Sequence, residues 1–73
     1  PTTHFGFRIA DFGFVMLTIY DASGREIETL VNDELKAGTY AVDWDATQYS
    51  SGIYFYTLQS GNFKETKKML MIK

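Results

Sequence analysis

Apolar and polar residues alternate at every second position along most of this chain, and the three-to-four spacing of an amphipathic helix is hard to find anywhere in it. In Thr39-Tyr40-Ala41-Val42-Asp43-Trp44-Asp45 the large apolar side chains Tyr40, Val42 and Trp44 share one face. The threonine, the alanine and both aspartates take the other, because successive strand side chains point to opposite sides of a sheet. Phe5, Phe7 and Ile9 alternate in the same way with His4, Gly6 and Arg8, and Val15, Leu17 and Ile19 line one face of the next segment. Those six are predicted to meet in the core. Phe14 and Met16 fall on the opposite face, and with Phe12 they form a candidate apolar patch, covered either by a neighbouring loop or the last strand, or by a second copy or a partner domain.

Turn chemistry separates the alternating runs. Asp21-Ala22-Ser23-Gly24 places a carboxylate where it can bond the backbone and a glycine where φ is expected to be positive, which reads as a hairpin. Lys36-Ala37-Gly38 and Ser60-Gly61-Asn62 read the same way, and Ser50-Ser51-Gly52 ends an irregular stretch that starts at Ala46. The predicted strands are 3–9, 14–21, 25–31, 39–45, 52–59 and 62–72. Strands at this spacing, with glycine and aspartate punctuation, define an all-β sandwich or barrel.

Composition narrows the function. The 73 residues suffice for one small domain, and a chain of this size hides only about 60% of the surface its unfolded form exposes, which leaves little core from which to carve a catalytic cleft. No apolar run approaches the roughly 20 residues of a membrane-crossing helix. The opening PTTHFGFRIAD lacks the basic start and apolar stretch of a secretory leader, and the chain is expected to be a piece of a longer protein. Without cysteine there is neither a disulfide nor a thiolate metal site. Charge is unevenly placed: residues 62–73 hold four lysines against one glutamate, whereas the rest of the chain sets Arg8, Arg25 and Lys36 against eight acids. An acidic body with a basic tail does not have the broad basic face of a nucleic-acid binder.

Candidate chemistry is thin. Asp43 and Asp45 stand two residues apart on one strand face, a spacing that holds Ca²⁺ only if loop carbonyls or a third acid such as Glu26 or Glu28 close the shell. The same pair makes a poor glycosidase couple, because that reaction sets its carboxyls across a cleft. His4 is the sole histidine, Ser50 and Ser51 have no base nearby in sequence, and no glycine-rich loop leads into a helix. No catalytic residue, metal ligand or cofactor site is predicted. Trp44, Tyr54 and Tyr56 are read as packing residues, Tyr54 with the spacing of a tyrosine corner. A sugar-stacking platform would instead require these rings to face outward.

Several segments together resemble a known family: Ile19-Tyr20-Asp21 with Gly24-Arg25, Thr29-Leu30-Val31-Asn32, Leu35 with Ala37-Gly38-Thr39-Tyr40, Trp44-Asp45-Ala46, Ser51-Gly52-Ile53-Tyr54-Phe55-Tyr56, and Glu65-Thr66-Lys67-Lys68-Met69. In this order and spacing the chain resembles the C-terminal sorting domain of the type IX (Por) secretion system, whose near relative is the FlgD-like Ig domain. Members usually carry Asn-Pro where only Pro1 stands here, and commonly a proline where Ala10 stands. The resemblance implies an Ig-like antiparallel β-sandwich of about six or seven strands. It also implies a non-catalytic module at the end of a bacterial protein exported through the periplasm to the medium or the outer cell surface, with secretion-machinery proteins and a sortase-like protease as partners. The recognised region is then Gly61 to Lys73, with Lys64, Lys67, Lys68 and Lys73 as charged contacts and Met69, Leu70, Met71 and Ile72 as the apolar run. Two readings of those lysines stand side by side. They guard a sheet edge against unwanted pairing, or they orient a partner that adds to that edge. The rival function is an autonomous FlgD-like interaction or adhesion module, or a carbohydrate-binding module beside a hydrolase; neither that nor the sorting reading involves nucleic acid or membrane insertion, and a homodimer through the Phe12, Phe14 and Met16 patch is compatible with both.

Overall fold

The computed structural model describes residues 2–72. Six strands account for about three quarters of them: β1 (Thr2–Ile9), β2 (Gly13–Asp21), β3 (Glu26–Leu35), β4 (Gly38–Asp45), β5 (Gly52–Ser60) and β6 (Phe63–Met71). They form two antiparallel sheets of unequal width, a two-stranded β1-β4 sheet and a four-stranded sheet in the order β3-β2-β5-β6. The fold is a small all-β sandwich of the kind the alternation predicts.

Five of the six residues expected to meet in the core, Phe5, Ile9, Val15, Leu17 and Ile19, are buried, and Phe7 is half-buried. The principal cluster gathers Phe5, Leu17, Ile19, Trp44, Ala46, Tyr54 and Met71. Among the described residues no backbone ladder joins the two sheets, so side chains hold them together. Trp44 is 1% exposed; its ring centroid lies 5.6 Å from that of Tyr54 and 5.5 Å from that of Tyr49. Its Nε1–H donates to Glu28 Oε1 at 3.3 Å, and the Tyr49 hydroxyl donates to the same carboxylate oxygen at 3.3 Å. Burial, with Glu28 beside it, pushes the Tyr49 phenol above its usual pKa. Rings at these tilted and edge-on angles add roughly 0.5–1.5 kcal/mol per pair to the burial of their apolar area. The Tyr54 hydroxyl donates to the Ser50 carbonyl at 2.7 Å, closing the tyrosine corner its position predicts.

Two readings of the turns require correction. Lys36-Ala37-Gly38 is a crossover between the sheets and not a hairpin, since β3 and β4 belong to different sheets; the Tyr40 hydroxyl ties the corner by donating to the Lys36 carbonyl at 2.6 Å. β3 also runs four residues beyond its predicted end, through Asn32-Asp33-Glu34-Leu35. Asn32 to Leu35 lie opposite Met16 to Gly13 in unbroken register, while two register shifts nearer the start of β3, between Leu17 and Thr18 and between Ile19 and Tyr20, place an extra β3 residue opposite each break. A polar stretch on an exposed edge strand carries no period-two signature and so reads as loop.

The Asp21 turn forms as its chemistry predicts. Asp21 Oδ1 accepts from the Ser23 and Arg25 amides, each at 3.0 Å, and from the Ser23 hydroxyl at 2.6 Å; Gly24 has φ of 88°. Ser60-Gly61-Asn62 closes the β5-β6 hairpin with Gly61 at φ of 59°. Both glycines lie in the left-handed region that side chains oppose.

Two outcomes follow for stability. Tyr54→Phe keeps the ring and removes only the corner hydrogen bond, and is expected to cost about 1 kcal/mol in chemical denaturation at unchanged m-value. Hydrogen bonds from Ser23, then from the Arg25 backbone, hold the Asp21 carboxyl below its ordinary 3.8. A depressed carboxylate pKa contributes stability above the unfolded value that is lost as pH falls through the folded one. The denaturation midpoint is therefore expected to fall below pH 3.8, and Asp21→Asn, which keeps an acceptor oxygen but no titrating charge, should flatten that part of the pH profile.

Candidate recognition strand and the sheet edges

β6 is an edge strand. Among the described residues it pairs only with β5, in an uninterrupted register from Gly52↔Met71 to Ser60↔Phe63, and its other edge meets no partner strand there. The opposite edge of the same sheet differs. β3 is bent by its two register shifts and carries Glu26, Glu28, Asp33 and Glu34, so one edge is irregular and acidic while the other is regular and basic. Bulges and charged side chains are devices that keep an edge from pairing, and β3 has both. β6 has only its lysines.

Residues directly opposite across an antiparallel ladder share a face, which divides the candidate recognition residues in two. Met69 and Met71 lie opposite Tyr54 and Gly52 and face the core, where Met69 is half-buried and Met71 is 8% exposed. Leu70 and Ile72 are exposed at 66% and 76%, and Leu70 pairs across the ladder with the exposed Ile53. Lys64 and Lys68 lie opposite Gln59 and Phe55 on the outer face, beside a Thr57–Thr66 hydroxyl pair at 2.8 Å. Lys67 is on the inner face opposite Tyr56, with its Nζ 3.8 Å from Glu65 Oε2. That pair is more than half exposed on the lysine side and contributes little to stability. Lys73 lies outside the described residues.

The proposed apolar patch also divides. Phe14 is 50% exposed on the outer face with the half-buried Met16. Phe12, 64% exposed, belongs to the β1–β2 turn and lines a cleft of about 420 Å³ together with Phe63 and Leu58. Phe63 escapes sequence reading because it sits at a hairpin shoulder, where a single aromatic carries no periodicity.

Of the acids considered for catalysis or metal binding, Glu28 accepts from Trp44 and Tyr49 in the interior, and Asp43 and Asp45 are engaged in a surface pair and a turn. Asp43 Oδ1 stands 2.6 Å from His4 Nδ1, both exposed, across the β1-β4 ladder. Asp45 caps the next turn by accepting from the Thr47 amide and hydroxyl, the hydroxyl bond first, which lowers its pKa. Among the described residues no three histidine or acidic side chains converge as a metal cluster would. Trp44, the one tryptophan, is closed inside the sandwich and unavailable as a sugar platform.

Searches against curated proteins and against solved structures return no match to the chain. Residues 4–73 match the family described as the secretion system C-terminal sorting domain. With six strands in two sheets, an exposed basic final strand and a match over nearly its whole length, the chain belongs to the C-terminal sorting domain family of the type IX secretion system.

Proposed function

We propose that this domain directs the export of a larger bacterial protein by presenting β6 to the type IX machinery, and that it then serves to fix the cargo at the outer cell surface. Family membership makes it a sorting signal of a non-catalytic kind, which implies export to the medium or the cell surface. The observation that carries the β6 reading is the contrast between the two edges of one sheet. β6 offers a straight, unpaired backbone edge with Lys64, Lys68, Leu70 and Ile72 facing outward, whereas β3 is bulged and acidic. A partner strand can add to such an edge through main-chain hydrogen bonds, with the lysines setting orientation and encounter rate. Removal of the domain by a sortase-like protease after export belongs to the same proposal, as does passage through the periplasm.

Truncation is a poor test of this reading, because deleting 64–73 also removes Met69 and Met71 from the core. Residues 1–73 fused to the C-terminus of a reporter should carry it out of a type IX competent bacterium. A domain that only binds other proteins would leave it in the periplasm. The triple variant Lys64→Glu, Lys67→Glu, Lys68→Glu changes only exposed side chains and is expected to keep the circular dichroism spectrum and Tm of the parent. It should lower secreted reporter by about tenfold or more if the lysines steer recognition. Undiminished export would assign the lysines to edge protection alone.

A further inference from the structure

The outer face of the four-stranded sheet, turned away from β1 and β4, carries no other strand among the described residues. Residues opposite one another across its three ladders share that face and fall into rows. One row runs Glu26, Tyr20, Phe55, Lys68 from β3 to β6. Two rows along, Asn32 on β3 answers Lys64 on β6, and Glu34 follows beside Phe14. The face is therefore acidic along one flank, basic along the other and apolar between, with Phe14 exposed and Met16, Tyr20 and Phe55 half-buried. The other charges of these strands do not share it. Glu28, Asp33, Glu65 and Lys67 stand on the inner face, and Asp21 pairs with Arg25 in their turn. Glu26, Glu34, Lys64 and Lys68 have no ion-pair partner among the described residues. In the central row Thr18 and Thr57 are 3% and 8% exposed although no strand lies over them, so the rows on either side already shield them from water. Among the described residues no buried side-chain polar atom lacks a partner, and covering this face strands none.

We propose that this face binds a second copy of the chain, face to face, about a two-fold axis that runs along the strands. Turning one copy about that axis lays β3 of each molecule over β6 of the other. Glu26 then meets Lys68 twice, Lys64 comes within reach of Asn32 and Glu34, and Tyr20 of each copy lies against Phe55 of the other at the centre. An axis across the strands instead lays acid on acid and lysine on lysine, and pairing β6 edge to edge brings lysines together as well. Charge thus decides the occupant: a uniformly acidic or basic partner satisfies one flank and is repelled by the other, whereas the chain complements itself under one rotation. Four strands about 4.8 Å apart and five rows about 6.8 Å apart give a face of roughly 500 Å². Two copies bury about 1,000 Å² in total, the lower limit for specific association, so the dimer is weak and reversible. This association does not rest on the export reading, but while it lasts it covers Lys64 and Lys68 and withholds them from any other partner.

The test is sedimentation equilibrium of the 73-residue chain at rising protein concentration, with charge exchange across the interface. Glu26→Lys and Lys68→Glu, both at exposed positions, are each expected to weaken self-association about tenfold, because each sets like charges against one another twice. An equimolar mixture of the two variants restores both opposite-charge contacts and is expected to dimerise as the parent does, and so is the chain carrying both changes. Circular dichroism spectra and Tm values matching the parent show that the single variants are folded. A parent chain that stays monomeric up to about 1 mM overturns the proposal and leaves the face to a different protein. Single variants that self-associate as tightly as the parent, or a mixture of folded variants that stays monomeric, would overturn it equally.

Discussion

Among the described residues no backbone ladder joins the two sheets, and the side-chain packing that holds them together centres on one buried indole. Trp44 reaches from β4 to the carboxylate of Glu28 on β3, and the rings of Tyr49 and Tyr54 close around it. Glu28 is the unusual member, an acid on the inner face of an edge strand. Its position is tolerable because two donors, the indole N–H and the Tyr49 hydroxyl, converge on one of its oxygens. In a domain this small a single such cluster is a large fraction of what holds the layers in register.

The remainder of the architecture follows from placing that cluster toward the β3–β4 side. The narrow sheet is drawn over β3, β2 and β5, and β6 is left overhanging. Its inward side chains are then buried only where other elements close over them, at Met69 and Met71, and exposed where nothing does, at Phe63, Glu65 and Lys67. The same displacement creates both surfaces with unpaired backbone: the outer edge of β6 and, across the seam, the free edge of β1.

Much of this was legible in the chain because period-two alternation is a strong signal where one face is buried. Phe5, Ile9, Val15, Leu17, Ile19 and Trp44 all took the faces their spacing assigns, and the Asp21 turn and the Tyr54 corner followed from local hydrogen-bond chemistry. Features that depend on the partner strand leave no local mark in the chain. The end of β3 is polar because it is an edge, and its bulges are visible only against β2. Whether Lys36–Gly38 turns within a sheet or crosses between sheets is decided by the pairing of β4 with β1, which is distant in sequence. The candidate recognition run Met69 to Ile72 is one apolar run in the sequence, yet a strand necessarily divides such a run between two faces.

That division has a consequence for how β6 can be read. Met69 and Met71 anchor the strand to the core, and Leu70, Ile72 and the outer lysines are held on the opposite face only while those anchors are seated. β6 has one neighbour, so its straight edge exists only when β5 is already paired on its other side with β2. In the unfolded chain the same residues are a flexible basic apolar tail, with no ordered row of amides and carbonyls to meet a partner strand. A partner that adds to this edge therefore discriminates folded from unfolded domains without contacting the core, because the geometry it requires is itself a product of the packing beneath.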